Sequence, residues 1–138
     1  VVGSPAYFAK AGKPLSPEEL TRHACIGFRF ASSGSAHRWE FRRDGRDFTV
    51  GVESGVLVND RKLLISAARN GLGLAYACNL EIIDELANGQ LERVLQPFVP
   101  LSSGLYLYFP SRTQTQPKLR AFIDMATQWI ADRGGLGH

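Results

Sequence analysis

Strand-length apolar runs alternate with helical patterns between residues 56 and 95, and this alternation limits the possible folds more than any other feature of the sequence. The pattern predicts strands at 56–58, 72–78 and 91–95, a helix capped by Asn59 or Asp60 with Leu63, Leu64, Ala67 and Ala68 inward, and a helix at 80–87 with Ile82, Ile83 and Leu86 inward. Strands that alternate with helices are typical of an α/β fold. We therefore expect a largely parallel sheet.

The remaining elements are marked by serine, proline and glycine. Ser4 before Pro5 predicts a helix start, and Ser16 before Pro17, with Glu19, predicts a second helix with a capping box. An apolar strand pattern follows at 24–30. The sequence further predicts a hairpin of 38–43 and 46–52 around Asp44 and Gly45, a strand at 105–109, and a long helix from Pro117 with Leu119, Phe122, Ile123, Ala126, Trp129 and Ile130 on one face.

The formal net charge of +3 does not by itself indicate nucleic-acid binding. The one basic cluster, Arg38, Arg42, Arg43 and Arg46, brackets the predicted hairpin turn. A solvated hairpin is the simpler interpretation of it, and a phosphate-binding patch is the alternative. Because no basic recognition helix is visible, we do not expect this chain to read DNA by itself. No apolar run is long enough to predict a membrane span.

Catalytic and metal-binding patterns are weak in this sequence. The two cysteines, Cys25 and Cys78, lie in apolar runs, which predicts buried free thiols and leaves a disulfide or redox switch as the alternative. No histidine has a Cys or carboxylate neighbour at metal-ligand spacing, and no nucleophile motif is present. We expect no metal, no cofactor and no enzymatic activity. The helix starts at Ser4, Ser16 and Asn59 are either simple caps or sites for a small carboxylate.

The order of segments resembles the effector-binding domain of LysR-type transcriptional regulators. The stretch SPAYFAKAGKPLSPEELTRHACIGFR is similar to the entry into the second lobe of that domain. The segments GVLVND, GLGLA and LANGQL match that lobe in order and spacing, and LYLYFPSRTQTQPKLRAFIDMATQWI resembles the closing strand and helix. One departure is Tyr76, Ala77 and Cys78, where the family commonly continues toward Leu-Pro.

The resemblance implies two Rossmann-like lobes of the periplasmic-binding-protein type, joined by two crossover strands. It implies a first hinge strand at 1–4, a second subdomain at 5–103, and at 104–138 the strand and helix that return to the first subdomain. We expect the rest of the first subdomain and an N-terminal winged helix-turn-helix domain to lie outside this sequence.

The resemblance also implies a small-molecule effector, which we expect to be anionic, between the lobes of a cytoplasmic homodimer or homotetramer that contacts DNA through the winged helix. A solute-binding protein of a transport system, which shares the fold, is the alternative. The residues carried over as candidate effector contacts are Ser4, Pro5, Phe30, Ser32, Val58, Asn59 and Tyr106. Ser4 and Asn59 would hold a polar or carboxylate group, and the aromatic and aliphatic residues would form the apolar wall.

Overall fold

The computed structural model describes residues 1–100 and 116–132, and two compact units divide the chain at residue 101. The predicted strand at 105–109, Tyr106 and the predicted stop at Gly134 and Gly135 lie outside the described residues. The strands are β1 (Val2–Gly3), β2 (Cys25–Phe28), β3 (Trp39–Arg43), β4 (Arg46–Val50), β5 (Ser54–Val58), β6 (Leu74–Ala75) and β7 (Glu92–Arg93). The α-helices are α1 (Pro5–Ala11), α2 (Arg61–Arg69), α3 (Ile83–Ala87) and α4 (Pro117–Asp132).

Five strands form one mixed sheet in the order β5-β2-β6-β1-β7, and β3 and β4 form a separate hairpin. Strand β2 runs parallel to both β5 and β6, whereas β1 is antiparallel to both of its neighbours. Four of the five strands therefore point the same way, which confirms the expected α/β class with a largely parallel sheet.

Alternate side chains of the sheet strands enter two different hydrophobic clusters, one on each face. In β2, Ile26 and Phe28 pack with α2, whereas Cys25 packs on the opposite face with α1 and the hairpin. Leu74 and Ala75 divide between the two faces in the same way. The period of two residues along each strand thus separates the layers that cover the sheet.

The locally encoded elements form as the sequence predicts. Ser4 caps α1, with its Oγ accepting a hydrogen bond from the Tyr7 backbone N–H at 3.2 Å, and Gly12 ends the helix at φ 74°. The hairpin turns at Asp44 and Gly45, whose φ angles of 50° and 75° match the left-handed pair that such a turn requires.

Several predicted elements are shorter than expected. Strand β2 ends at Phe28 rather than 30, and the strand predicted at 72–78 pairs only at Leu74–Ala75. The strand at 91–95 pairs only at Glu92–Arg93. Partners limit each of them, because β6 and β7 are bonded over the length of the two-residue strand β1.

Two helix predictions also need correction. The segment after Ser16 is a 3₁₀ helix, Pro17–Arg22, and Ser16 makes no side-chain capping bond. The Glu19 carboxylate instead accepts the Leu15 backbone N–H at 2.9 Å. The helix predicted at 80–87 is a 3₁₀ turn, Asn79–Glu81, followed by α3, because Ile82 leaves the helical path between them to fill the core.

Individual side chains differ from the predicted faces as well. In α2 the buried residues are Leu64, Ile65, Ala67 and Ala68, whereas Leu63 is 53% exposed. Both cysteines are free as predicted, but only Cys25 is buried and Cys78 is exposed. Helix α4 begins at Pro117 as expected. None of its side chains is fully buried, and Phe122, Met125 and Trp129 are exposed.

Candidate functional site

The parallel strands β2, β5 and β6 end together at one edge of the sheet, here called the carboxyl edge, where Phe28, Val58 and Ala75 are the last strand residues. The segments that leave this edge bring Phe30 and Tyr76 to it. In open α/β sheets ligands bind outside the carboxyl ends of the strands. The carboxyl edge is therefore the place where this lobe offers a site.

Aromatic rings form a continuous surface along the carboxyl edge. The Phe30 ring lies 5.5 Å from that of Phe28 and 5.4 Å from the His37 imidazole, measured between ring centroids. The His37 ring in turn lies 5.3 Å from the Tyr76 ring, with an interplanar angle of 75°. Such edge-to-face contacts favour a fixed orientation for each ring. His37 is thus held between Phe30 and Tyr76.

Tyr76 connects the carboxyl edge to the hairpin. Its ring packs against Trp39 at 5.7 Å and its hydroxyl donates to the Glu40 backbone carbonyl at 3.0 Å. Trp39 and Phe41 are almost completely buried. Burial raises the pKa of the Tyr76 hydroxyl, with a further contribution from the negative charge of Glu40, so this donor stays protonated at neutral pH.

Arg61, the first residue of α2, brings a positive charge to the same edge. Its guanidinium carbon lies 4.2 Å from the centroid of the Phe28 ring, and its Nε is 3.4 Å from a Glu81 carboxylate oxygen. Asp60 supplies the helix cap by accepting the Leu63 backbone N–H at 2.8 Å. The cap therefore uses Asp60 and leaves the exposed Asn59 outside it.

Two buried nitrogen atoms at this edge have no hydrogen-bond partner among residues 1–100 and 116–132. They are Nδ1 of His37 and Nη1 of Arg61. Burial lowers the pKa of His37 below its ordinary value, the charge of Arg61 lowers it further, and Glu40 opposes the shift. His37 is therefore neutral at pH 7 in this structure, and it responds electrostatically to Arg61.

Four of the predicted site residues lie at the carboxyl edge or in the loop that leaves it. Val58 is buried at the end of β5 and its carbonyl accepts the Arg29 backbone N–H at 2.7 Å. Phe30 is 37% exposed, and Ser32 and Asn59 are exposed. Phe30 and Asn59 follow neighbouring strands, so the structure brings these two together.

Ser4 and Pro5 lie at the opposite edge, here called the amino edge, because β1 runs against the other strands. Gly71, which precedes β6, is so close to Ser4 that an added Cβ would lie 3.4 Å from the Ser4 Oγ. Ser4 is 2% exposed, and its hydroxyl already caps α1. Both residues line a shallow hollow of about 330 Å³ with Ala6, Arg69, Asn70 and Gln90. The structure thus separates Ser4 and Pro5 from Phe30 and Asn59, while Tyr106 is not among the described residues.

Sequence reasoning missed His37 and Arg61 as partners in one site. His37 is separated from Arg61 by 24 residues, and only the packing of the loop against α2 brings the two side chains together. Tyr76 was visible as a departure from the family pattern. Arg61 was visible only as the residue after the predicted helix cap.

The other features of the described residues do not form a comparable site. A hollow of about 430 Å³ lies at the hairpin, lined by Arg43, Asp44, Arg46 and Phe48. The Arg43 guanidinium there donates to both carboxylate oxygens of Glu18, at 2.7 and 2.9 Å, which fits the solvated-hairpin interpretation. Among residues 1–100 and 116–132, no group of three His, Cys, Asp or Glu side chains is placed to hold a metal ion. No helix of that same part is long and apolar enough to cross a membrane.

Comparison with known proteins identifies the family. Residues 1–131 match the LysR substrate binding domain, and the chain belongs to that family. The HTH-type transcriptional regulator PgrR of Escherichia coli is 37% identical over 124 residues, which are 90% of this chain and 42% of PgrR. The E. coli protein YagP, whose name assigns it a LysR family substrate binding domain, is 36% identical over 78% of this chain and 79% of its own length.

Solved structures show the same fold. The regulatory domain of CrgA from Neisseria meningitidis, a LysR-type transcriptional regulator, superposes with a TM-score of 0.67 at 24% identity, over 92% of this chain and 62% of that domain. The full-length Vibrio cholerae virulence activator AphB superposes with a TM-score of 0.65 at 22% identity, over 93% of this chain and 43% of AphB. The resemblance seen in the sequence is confirmed. The transport alternative is not favoured, since these relatives are named as transcriptional regulators.

Proposed function

We propose that this chain is the effector-sensing part of a bacterial LysR-type transcriptional regulator, and that a small anionic metabolite binds at its carboxyl edge. The chain spans 42% of the length of PgrR, so DNA binding would belong to another part of the protein. In this proposal the regulator is a homodimer or homotetramer that acts in the bacterial cytoplasm, where its DNA is. The protein would act as a sensor and not as an enzyme.

The observation that carries the proposal is the composition of the carboxyl edge. An exposed Phe30 ring, the exposed Asn59 and the half-exposed Arg61 lie beside His37, and two of the buried nitrogens there are unpaired among the described residues. A binding site for a small metabolite combines apolar walls with a few polar groups that fix its orientation. The carboxyl edge has that combination, and Phe30, Ser32, Val58 and Asn59 belong to it.

We infer that the remaining contacts come from residues outside this edge. The hinge at 1–4, the second subdomain at 5–103 and the returning segment at 104–138 make this chain one side of an interlobe cleft. Tyr106 belongs to the return crossing in this proposal. Ser4 and Pro5 support the first crossing through the capping of α1 and do not contact the effector.

Regulation would follow from a ligand-biased equilibrium between two interlobe arrangements. A ligand shifts such an equilibrium only by its difference in affinity for the two states. A difference of about 1–3 kcal/mol gives a response of roughly 5- to 150-fold. Asn59 at the start of the helix and Phe30 at the end of β2 would contact the effector in the closed arrangement.

A thermal-shift screen of the protein at its full encoded length tests the proposal. Metabolite libraries rich in organic acids are added singly, and each compound that stabilises the protein is tested for its effect on promoter binding. We expect at least one organic acid to raise the melting temperature and to change DNA affinity. If no metabolite does either, the chain is not an effector sensor.

A further inference from the structure

We propose that Arg61 and His37 together bind the carboxylate of the effector, as a two-donor clamp that discriminates an acid from its neutral amide. This inference rests on the proposed function and specifies the ligand chemistry of that same site. Two parallel donors suit the two oxygens of one carboxylate, and charge-assisted hydrogen bonds are the stronger kind.

The geometry fixes both donors in place. The Arg61 guanidinium stacks 4.2 Å from the Phe28 ring centroid, and Phe28 is almost fully buried at the end of β2. The His37 imidazole is held edge-to-face between two rings at 5.4 and 5.3 Å. The His37 backbone N–H donates to the Phe28 carbonyl at 2.7 Å, so both side chains are tied to the same strand end.

The acids nearest to the clamp do not satisfy its two unpaired nitrogens. Glu81 approaches Arg61 through Nε, at 3.4 Å, and leaves Nη1 without a partner among the described residues. Asp60 directs its carboxylate to the Leu63 backbone N–H. A buried donor without a partner is costly, so an external carboxylate gains the free energy that these two nitrogens lose in its absence.

The charges around His37 add a pH dependence to this binding. The groups that act on it are Arg61 from α2 and Glu40 from β3, and the Tyr76 ring, which contacts it, stays uncharged. Burial and Arg61 keep the imidazole neutral in the free protein. A bound carboxylate beside it favours the imidazolium form, so binding takes up a proton from solvent and becomes tighter as the pH falls.

Nuclear magnetic resonance of the histidine side chains tests the clamp directly. The protein at full encoded length is titrated with acetate, butyrate or benzoate, and with the matched amides as neutral controls. We expect a carboxylate to move the His37 resonances and to raise the pKa of His37, while the amides do neither. His23, whose Nδ1 is 3.0 Å from the Tyr7 hydroxyl at the amino edge, is the internal control and should not respond.

Matched arginine variants supply the second arm. Arg61→Gln should weaken carboxylate binding by about 10- to 100-fold, as expected for the loss of a charge-assisted hydrogen bond. Arg69→Gln is the control, because Arg69 lies on the same helix, has similar exposure and also faces a glutamate, Glu85, at 3.8 Å. Arg61→Lys keeps the charge but not the fork, and should retain part of the affinity.

The outcomes separate this inference from the proposed function. The clamp is wrong if carboxylates and amides bind equally, if His37 does not respond to any of the acids, or if Arg69→Gln weakens binding as much as Arg61→Gln. A protein stabilised only by uncharged metabolites overturns the clamp and leaves effector sensing intact. A protein that responds to no metabolite overturns both.

Discussion

The two edges of the central sheet begin with the same local device and end with different properties. At the amino edge Ser4 caps α1, and at the carboxyl edge Asp60 caps α2. Around Ser4 the polar groups are paired within the protein: the Tyr7 hydroxyl lies 3.0 Å from His23 Nδ1 and accepts the Ala24 backbone N–H at 3.0 Å. Around Asp60, by contrast, buried nitrogens of His37 and Arg61 have no partner among the described residues.

This difference shows that a helix start is not by itself a binding site. Both caps have nearly the same sequence signature, and only the direction of the strand before each helix separates them. The amino edge uses its polar groups for stability, whereas the carboxyl edge keeps some of them for another molecule. Substitutions at the amino edge should therefore affect folding, and substitutions at the carboxyl edge should affect ligand binding.

The largest expected effect is on stability, at the amino-edge end of β6. Leu74 is completely buried between α1 and the hairpin, so Leu74→Ala should lower the free energy of unfolding by about 2–5 kcal/mol. Leu72→Ala is the matched control, because Leu72 is 51% exposed. Urea unfolding of both variants makes the measurement. Equal losses would show that this edge is not the packed one.

A somewhat smaller loss is expected from Gly73→Ala. A Cβ at this position would lie 2.5 Å from the Ala24 carbonyl oxygen, so the backbone must move, and overpacking of this kind costs about 1–3 kcal/mol. Gly55→Ala in β5 is the control, since an added Cβ there meets no atom of the described residues within 4 Å. If Gly73→Ala unfolds in urea at the wild-type midpoint, the close approach at the amino edge is wrong.

Ser4→Ala and Asn59→Ala form a pair that tests the separation of roles. Loss of the α1 cap should cost about 1 kcal/mol of unfolding free energy in Ser4→Ala and leave effector affinity unchanged. Asn59→Ala should weaken effector binding several-fold, by about 1 kcal/mol for one lost hydrogen bond, with little change in stability. Calorimetric titration with a metabolite identified by the screen measures both affinities. The reverse assignment of effects would exchange the roles of the two edges.

The smallest effect is the pH dependence of stability that His37 contributes. Because its pKa in the folded protein is lower than the ordinary 6.5, the unfolded chain binds the proton more readily. The contribution of neutral His37 is thus complete above pH 6.5 and is lost as the pH falls through the folded-state value. His37→Asn should flatten this part of the stability profile, measured by melting temperature between pH 7.5 and roughly 5. An unchanged profile would place His37 in a less buried environment.

Local signals predicted what nearest neighbours along the chain determine. The turn at Asp44 and Gly45, the cap at Ser4 and the start of α4 at Pro117 formed as expected, since each depends on a few adjacent residues. The strand at 72–78 was too long, because pairing with the two-residue β1 decides how much of it is bonded. Pairing partners are not visible in a hydrophobic pattern.

The candidate site was predicted less completely than the fold. Phe30 and Asn59 were placed together correctly, because both follow parallel strands that pair with each other. Ser4 was grouped with them, but the antiparallel direction of β1 carries it to the other edge. The proximity of His37 to Arg61 depends on how the loop after β2 folds back over Phe28 and Phe30, which no local pattern encodes.

The most direct test of the central claim is hydrogen–deuterium exchange of the full-length protein with and without a stabilising metabolite. Binding at the carboxyl edge should slow exchange in peptides that cover residues 28–37 and 58–64, and leave peptides covering 3–8 and 69–74 unchanged. Protection confined to the amino-edge peptides, or protection of neither carboxyl-edge segment, would contradict it.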